Sequence, residues 1–546
     1  MKKGTIKTRV LAGVLVFSLL AGGCGGTAPQ ASAAPSASGP SQSAAGSAAP
    51  QEEERTPIRY AAWTSGPFNR ETFAEKAIEE AFPDIDIELM AFERATWNEQ
   101  INTRVASGDI PDIIFRDSRT LVDQYRQQGI IRDIPIEAIK EYAPNIYKEV
   151  GEYGYDTWIS SYFDGKIYGF PSTTINNTIP FTNGFREDWL TNVGIDKVPE
   201  TLAEVEEAFK RLTENDPDRN GKNDTYAVTA NGMTGMLTSF SFVFGAFGVF
   251  PNMWMDDGSG GVEFGMVSSK MIPALETLNR WYKAGYIDPE FVTNDAAKVK
   301  QAWANGKVGF IETTWNRLVY NGEMVQALNA VNPDAKVVLA PASKGPDGEY
   351  GYYNWGRLGG SMTLAKHLEK DESKFIKCLK LLDGLAYDQE LYYLTHYGVE
   401  NEHWKRDEAT NSILKINGYD EADKMATLGN ALLIGLPLPS VQRTFLPKNL
   451  DEVSKYALPG TVKENEDYYI WVGALISNEA TTAAQSATDM QLKAMIEFII
   501  GTRPISEFNT FVEQWNAAGG KALTEAANQA FTAGLEVKNE IEEKMK

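Results

Sequence analysis

The sequence predicts an α/β fold spread over two or three domains, and three observations carry that expectation. The chain has 546 residues, at roughly 100–200 residues per domain. Residues 58–115 alternate strand and helix periodicities, the mark of a parallel sheet with right-handed crossovers. The composition is 43% hydrophobic and 23% charged, ordinary for a chain that builds apolar cores.

The alternation runs as follows. Ile58-Arg59-Tyr60-Ala61-Ala62-Trp63 predicts a strand. Phe73, Ala77, Ile78 and Phe82 follow helical spacing, and Pro83 stops that helix. Asp84 to Leu89 alternates polar and apolar, as a half-buried strand does. A helix around Ile101 and Val105 ends at Gly108, and Asp112-Ile113-Ile114-Phe115 is a short apolar strand. Ligands of such sheets sit beyond the carboxyl ends of the strands, here Trp63 and Arg116-Asp117-Ser118. Asp164-Gly165 predicts a hairpin turn. Thr201-Leu202-Ala203-Glu204 is a capping box opening a helix with Leu202, Val205, Phe209 and Leu212 on one face. Residues 230–260 are rich in Gly, Phe and Met, and their breaks favour a buried helix over a membrane-active stretch. Asn305-Gly306-Lys307 turns from a helix into the strand that follows.

Asp216-Pro217-Asp218-Arg219-Asn220-Gly221-Lys222-Asn223-Asp224 has oxygen-bearing side chains at the spacing of a calcium loop, with Gly at its sixth place. The twelfth place, where an EF-hand carries Glu, is Ala227. A metal-free Asp/Asn/Gly turn is the other reading.

Net charge is -22, which argues against a nucleic-acid partner. Lys2, Lys3, Lys7 and Arg9 precede an apolar run, Val10 to Leu20, too short to span a bilayer. It leads into Ala21-Gly22-Gly23-Cys24, which resembles a bacterial lipobox, with Ala21 where Leu is usual. Lipidated Cys24 is the expectation, and secretion with cleavage near Ala31-Ser32-Ala33 is the alternative. Residues 25–50 contain only Gly, Thr, Ala, Pro, Gln and Ser and read as a tether with a reach of roughly 30 Å. Cys378, in an apolar helical pattern, is expected to be a buried thiol. His367, His396 and His403 do not form an H-E-x-x-H motif, and neither G-x-S-x-G nor a Walker loop occurs. A two-carboxylate glycosidase stays open, because its spacing is three-dimensional.

The segments Asp109 to Phe115 and Asp164-Gly165-Lys166-Ile167-Tyr168-Gly169-Phe170-Pro171 resemble extracellular solute-binding proteins of sugar ABC importers. The helix from Leu202 running into Asp216–Asp224 is similar to the lipoprotein subfamily that includes alginate-oligosaccharide-binding proteins. Ala340-Pro341-Ala342, Asn354 to Gly360, His396 to Trp404 (Asn401 in place of a Gly), Ile499 to Ile505 and Trp515 extend the resemblance over roughly residues 57–540. It implies an α/β, two-lobed periplasmic-binding-protein type II fold, each lobe a mostly parallel sheet flanked by helices, joined by crossover hinge strands. Residues 1–23 are then a signal peptide and 24–56 the lipidated Cys with its tether. Lobe 1 is drawn as 57–175 plus 310–365, with the return crossover entering at Asn305–Phe310. Lobe 2 is drawn as 176–309 plus 366–546.

The implied function is capture of an oligosaccharide between the lobes and delivery to an ABC permease, by a monomer held to the membrane through its lipid only. A cell-surface glycan lyase or hydrolase, or a receptor for peptides or other solutes, are the alternatives. Sugars offer an apolar face and a hydroxyl rim, suited by aromatic rings beside polar groups. Trp63, Trp254, Trp315, Trp355 and Tyr397 are the aromatic candidates, against core packing for each. Asp117, Asn176, Asn177 and Arg357 are the polar ones, and Trp281 reads as core. The resemblance also implies a structural Ca2+ held by Asp216, Asp218, Asn220, the Lys222 carbonyl and Asp224. Thr225 stands where the subfamily usually has Glu, leaving Thr225 and water to complete the shell.

Overall fold

The structure is a computed structural model. It describes residues 55–64, 67–69, 71–173, 181–319, 322–353, 360–433, 436, 438–444, 472–473 and 475–546. The leader, Cys24 and the tether lie outside the described residues.

The predicted alternation forms. Strands β1 (Thr56–Thr64), β2 (Ile85–Glu93) and β3 (Ile113–Asp117) are joined by helices Phe73–Ala81 and Trp97–Ala106. β1 pairs in parallel with both neighbours. The first helix opens on a capping box between Thr72 and Glu75, and Glu75 also accepts the Leu89 amide at 3.1 Å, tying helix to β2. Asp164 and Gly165 take φ of 50° and 78°, the left-handed pair that a two-residue hairpin turn requires. They join β4 (Tyr162–Phe163) to β5 (Lys166–Ile167), and β6 (Gly169–Pro171) follows.

The chain then crosses to a second sheet. Strands β7 (Phe181–Arg186), β8 (Tyr226–Val228), the hairpin β9 (Trp254–Asp256) with β10 (Val262–Phe264), β11 (Val308–Thr314) and β12 (Val337–Ala340) follow in order. β13 (Ser361–Leu364) returns to the first sheet. The first sheet has the order β2-β1-β3-β13-β6 and the second β12-β7-β11-β8. β13 runs antiparallel to β3 and β6, and β7 antiparallel to β11 and β12. Each sheet therefore keeps one common strand direction, broken by a single interior strand. That strand is the one arriving from the other sheet.

This moves the lobe boundaries drawn from sequence. β11 and β12 complete the second sheet, so 310–340 belong with it, and the return crossing lies between β12 and β13 rather than at Asn305–Phe310. Helix Glu372–Tyr387 belongs to the first lobe, where Asp383 accepts the Asn145 and Ile146 amides at 3.0 and 2.9 Å. The chain is back on the second lobe at helix Gln485–Ile500, where Asn279 donates to the Phe498 and Ile499 carbonyls at 3.1 and 3.0 Å. The last helix, Lys521–Met545, touches both lobes. Asn528 clasps the Val262 amide and carbonyl, each at 2.9 Å, and Lys544 donates to the Gly165 carbonyl at 2.9 Å.

The second lobe closes on an aromatic core. Helix Leu202–Glu214 begins at the predicted capping box and turns Phe209 and Leu212 inward. Phe209 meets Trp281 at 5.0 Å, while Phe310 meets Phe185 at 4.7 Å and Phe242 at 4.8 Å. Each such ring contributes about 1.5–3 kcal/mol by leaving water. Cys378 is fully buried in the first lobe, and burial pushes its thiol well above the usual range.

Asp112 fixes the returning chain to the first sheet. It is 2% exposed and accepts the Arg59 amide at 2.8 Å, His367 Nε2 at 2.7 Å and Lys374 Nζ at 2.8 Å. Burial works to raise this carboxyl, but the bonds from His367, Lys374 and the Arg59 amide win and hold it below its ordinary value. A depressed carboxylate stabilises the fold above its unfolded value, about pH 4, and loses that contribution as pH falls through the folded value. Asp112→Asn is expected to cost about 2–3 kcal/mol at neutral pH, read by urea unfolding. It should also flatten the loss of stability below pH 4 relative to wild type.

Candidate functional site

The two crossings meet at their first-lobe ends. The Ser172 amide, at the start of the outgoing one, donates to the Gly360 carbonyl at the end of the return one, at 2.9 Å. On the second lobe the return crossing is pinned twice. The Tyr352 hydroxyl accepts the Asn183 amide at 3.3 Å and donates to the Ala340 carbonyl at 3.1 Å. The Tyr353 amide donates to Ser241 Oγ at 3.1 Å, and Ser241 Oγ donates to Glu312 Oε1. Glu312 Oε2 accepts the Phe242 amide at 3.2 Å. Glu312 stands on β11, 6% exposed, and burial pushes its carboxyl up to about 8 against the pull of those bonds.

Around these crossings the strand ends present the candidate side chains. Trp63 is the next-to-last residue of β1, beside Phe92 of β2. It is half-buried, and the Arg94 guanidinium lies 4.3 Å from its ring centre. Arg59, Arg104, Arg126 and Arg186 each pair with a carboxylate. Exposed Arg94 has no carboxylate partner among the described residues and rests on the indole instead. Trp315 follows the last residue of β11 and opens the short helix Trp315–Leu318, half-buried against the second core. The interior strands β1 and β11 of the two sheets thus each carry a tryptophan at the carboxyl end, Trp63 next to last in β1 and Trp315 just past β11. Asp117 closes β3, its backbone in register with Ser361 of β13.

Two aromatic candidates are placed elsewhere. Trp254 lies in the β9–β10 hairpin, 7% exposed, its ring 5.1 Å from Phe264, which stacks on Trp515 at 5.8 Å. It fills the core, because the hairpin folds onto helix Phe508–Trp515 rather than into a strand end. Tyr397 ends helix Gln389–Tyr397 instead of a strand. It joins a satellite cluster with Tyr392, Tyr393 and Trp404, its hydroxyl 3.4 Å from that of Tyr392. Trp281 is core, as expected. Asn176, Asn177, Trp355 and Arg357 lie outside the described residues. Sequence reasoning missed Arg94 and Glu312. A carboxylate ending the apolar run Val308-Gly309-Phe310-Ile311 was the available signal for the second.

The Asp216–Asp224 loop follows helix Leu202–Glu214. Asp216 accepts the Asn220 and Gly221 amides, each at 2.9 Å. The Asn220 side-chain amide donates to Asp218 at 2.9 Å and Asp224 at 3.0 Å, and its oxygen accepts the Lys222 amide at 2.8 Å. Lys307 stands 3.7 Å from Asp224. Burial, then the nearby Asp216 and Asp224 charges, push the Asp218 carboxyl up. Among the described residues no group of three or more His, Cys, Asp or Glu side chains converges as a metal site. The residue types suit calcium, while the loop closes on the Asn220 amide. Thr225 turns away from the loop and donates to the Leu212 carbonyl at 2.7 Å, so it caps the helix instead of completing a shell. Ala227, at the twelfth place, is buried in β8.

Residues 66–366 match the family described as bacterial extracellular solute-binding protein. The chain is 25% identical over 552 aligned residues to the polygalacturonan/rhamnogalacturonan-binding protein YtcQ of Bacillus subtilis, covering 96% of this chain and 99% of YtcQ. Among solved structures, the ABC-transporter substrate-binding protein FusA of Streptococcus pneumoniae, in complex with kestose, superposes with a TM-score of 0.61 at 18% identity, over 88% of this chain and 99% of FusA. The alginate-binding protein AlgQ2, solved without calcium ion, gives 0.59 at 16% identity, over 88% of this chain and 98% of AlgQ2. The family match spans more than half the sequence, and the two sheets joined by paired crossings are the architecture these structures share. The chain belongs to the bacterial extracellular solute-binding proteins.

Proposed function

We propose that this protein is the substrate-binding component of an ABC importer, capturing an oligosaccharide between its lobes and presenting it to the permease. The observation that carries this reading is the pair of tryptophans, Trp63 and Trp315, ending interior strands of opposite sheets beside the two crossings. Each offers an apolar face to a sugar ring, and closure about the crossings brings two such lobes onto one ligand. Asp117, Asn176, Asn177, Trp355, Arg357 and Tyr397 stay candidates for the rest of the contact. The Arg94 guanidinium, without a carboxylate partner among the described residues, favours a glycan that carries one, in keeping with the name of YtcQ. The protein binds as a monomer and makes or breaks no bond.

Calorimetric titration with short oligogalacturonides and neutral fructo-oligosaccharides tests this. Trp63→Ala and Trp315→Ala should each weaken binding by about 1–2 kcal/mol, roughly tenfold. Arg94→Gln should weaken only the acidic ligands, by about tenfold. Shortened or unsaturated sugar after incubation would make the protein a glycan hydrolase or lyase. Peptide binding without sugar binding would make it a different receptor.

In the same reading Asp216, Asp218, Asn220, the Lys222 carbonyl and Asp224 hold Ca2+ as a structural clip. Supporting it are three crowded carboxylates and the calcium mentioned for AlgQ2; the Lys307 ammonium beside Asp224 would have to yield to the ion. Binding requires the Asn220 amide to turn its oxygen toward the carboxylates. A chelator should then lower the unfolding midpoint of calcium-replete protein by a few degrees, as loss of any ligand specific to the folded state does. Asp218→Asn should abolish that shift. Sugar affinity should change roughly twofold at most. An unchanged midpoint would leave the loop a metal-free turn. Lipidation of Cys24 anchors the protein outside the cell; Cys24→Ala should move it from the membrane fraction to the medium, measured by immunoblot.

A further inference from the structure

We propose that Asn231 is a sugar-contacting residue of the second lobe, its carboxamide binding the hydroxyl rim of a ring whose apolar face lies on Trp315. The inference rests on the oligosaccharide-binding reading above and supplies the polar half of the second-lobe contact.

Register places the residue. β8 and β11 run parallel, with Val228 opposite Phe310, so their carboxyl ends lie at one edge of the second sheet. Both crossings reach that same edge. β7 begins there, with Phe181 opposite Thr314, and β12 ends there, with Ala340 opposite Asn183. Thr229, Ala230 and Asn231 carry the chain past the end of β8. Asn231 thus comes level with Thr313, two residues short of Trp315. At 3.3 Å per residue and 4.8 Å between strands, the two lie roughly 8 Å apart, close enough for both side chains to meet one sugar ring.

The turn after β8 is fixed in place yet leaves one polar group spare. Buried Thr229 donates to Asp288 at 2.9 Å, and Asn294 donates to both of them, each at 3.1 Å. The Asn231 amide donates to Ser239 Oγ at 3.3 Å, and the Asn231 carbonyl accepts the Gly235 amide at 2.8 Å. Gly232 takes φ of 45°, and a Cβ there would stand 2.5 Å from the Asn294 carbonyl oxygen, so the position requires glycine. The Asn231 carboxamide, by contrast, is half-exposed and makes no hydrogen bond among the described residues. It lies against Gly235, where a Cβ would stand 2.6 Å from its Nδ2. Glycine inside helix Gly232–Ser239 weakens that helix, and here it clears the surface on which the carboxamide rests.

A backbone fixed in this way needs little further ordering when a ligand arrives. A carboxamide both donates and accepts, so it pairs with adjacent hydroxyls of a ring and requires no charge on the sugar. The two lobes then read different features. Arg94 on the first recognises a carboxylate, and Asn231 on the second recognises hydroxyls that acidic and neutral sugars share.

Calorimetric titration of the full chain with the same oligogalacturonides and fructo-oligosaccharides tests the assignment. Asn231→Leu keeps the size and removes the polar atoms. It should weaken every sugar that wild type binds by about tenfold, acidic or neutral, where Arg94→Gln weakens only the acidic ones. Its ligand-free unfolding midpoint should stay within about 2 °C of wild type, because the carboxamide has no internal partner to lose. In wild type, the Asn231 side-chain amide NMR signals, assigned by their absence in Asn231→Asp, should shift on saturation with sugar. Wild type that binds sugar with these signals unmoved overturns the assignment, whether or not the variants fold. So does an Asn231→Leu affinity within about twofold of wild type. Either result leaves the oligosaccharide reading standing, whereas wild type that binds no oligosaccharide overturns both.

Discussion

The structure depends on a constraint of connectivity: each sheet is completed by a strand that arrives from the other. β7 sits between β12 and β11, and β13 between β3 and β6, so neither arriving strand is at an edge. An interior strand loses both ladders if it leaves, at the cost of every backbone group it pairs. The lobes therefore cannot separate into independent domains, and relative motion is confined to the short stretches between the sheets. Among the described residues, that confinement leaves Ser172 and Thr173 on the way out and 341–353 on the way back between the two sheets.

The two ends of the return crossing are held by different chemistry. On the first lobe, Asp112 collects the Arg59 amide, His367 and Lys374. It is an ionised anchor whose countercharges keep it so. On the second lobe the anchors are the Tyr352 hydroxyl and the Glu312 carboxyl, which has no cation paired to it among the described residues. Buried carboxylates with opposite shifts thus flank one crossing, and the difference follows from the company each keeps. Acid weakens the first anchor, because protonation of Asp112 removes the charge that His367 and Lys374 face.

Much of the fold was legible in the sequence because it is locally encoded. The β-α-β-α-β run, the Thr201 capping box and the Asp164-Gly165 turn each rest on residues within one turn or one strand of each other. The lobe boundaries were not, because nothing local tells Val308–Thr314 that its partners are 181–186 and 226–228. Strand periodicity says that a segment pairs, not with what. The site divides the same way. The strand-end placement of Trp63 and Trp315 was legible because the sequence marks the strands they stand beside. Trp254 stands in a hairpin and Tyr397 at a helix end, and in sequence both also look like loops. Thr225 was read by its spacing from Asp224, and the helix carbonyl that takes its hydroxyl is thirteen residues upstream.

The position of the acidic loop follows from the same sheet. Asp224 precedes β8 and Lys307 precedes β11, and these strands start together, with Tyr226 opposite Val308. Trp315 lies past the other end of β11. At about 3.3 Å per strand residue, the loop and the tryptophan are roughly 25 Å apart. The loop also ties down what surrounds it, since Asn192 donates to the Pro217 carbonyl at 2.8 Å, joining helix Glu187–Asn192 to the turn. A cation there would neutralise carboxylates that now crowd one another and would fix the entry to β8 and β11 together. Its effect on a ligand beside Trp315 would have to travel the full length of β11, through a packed aromatic core that has one arrangement. The loop therefore bears on how firmly the second lobe holds its shape, and the crossings on how that lobe moves.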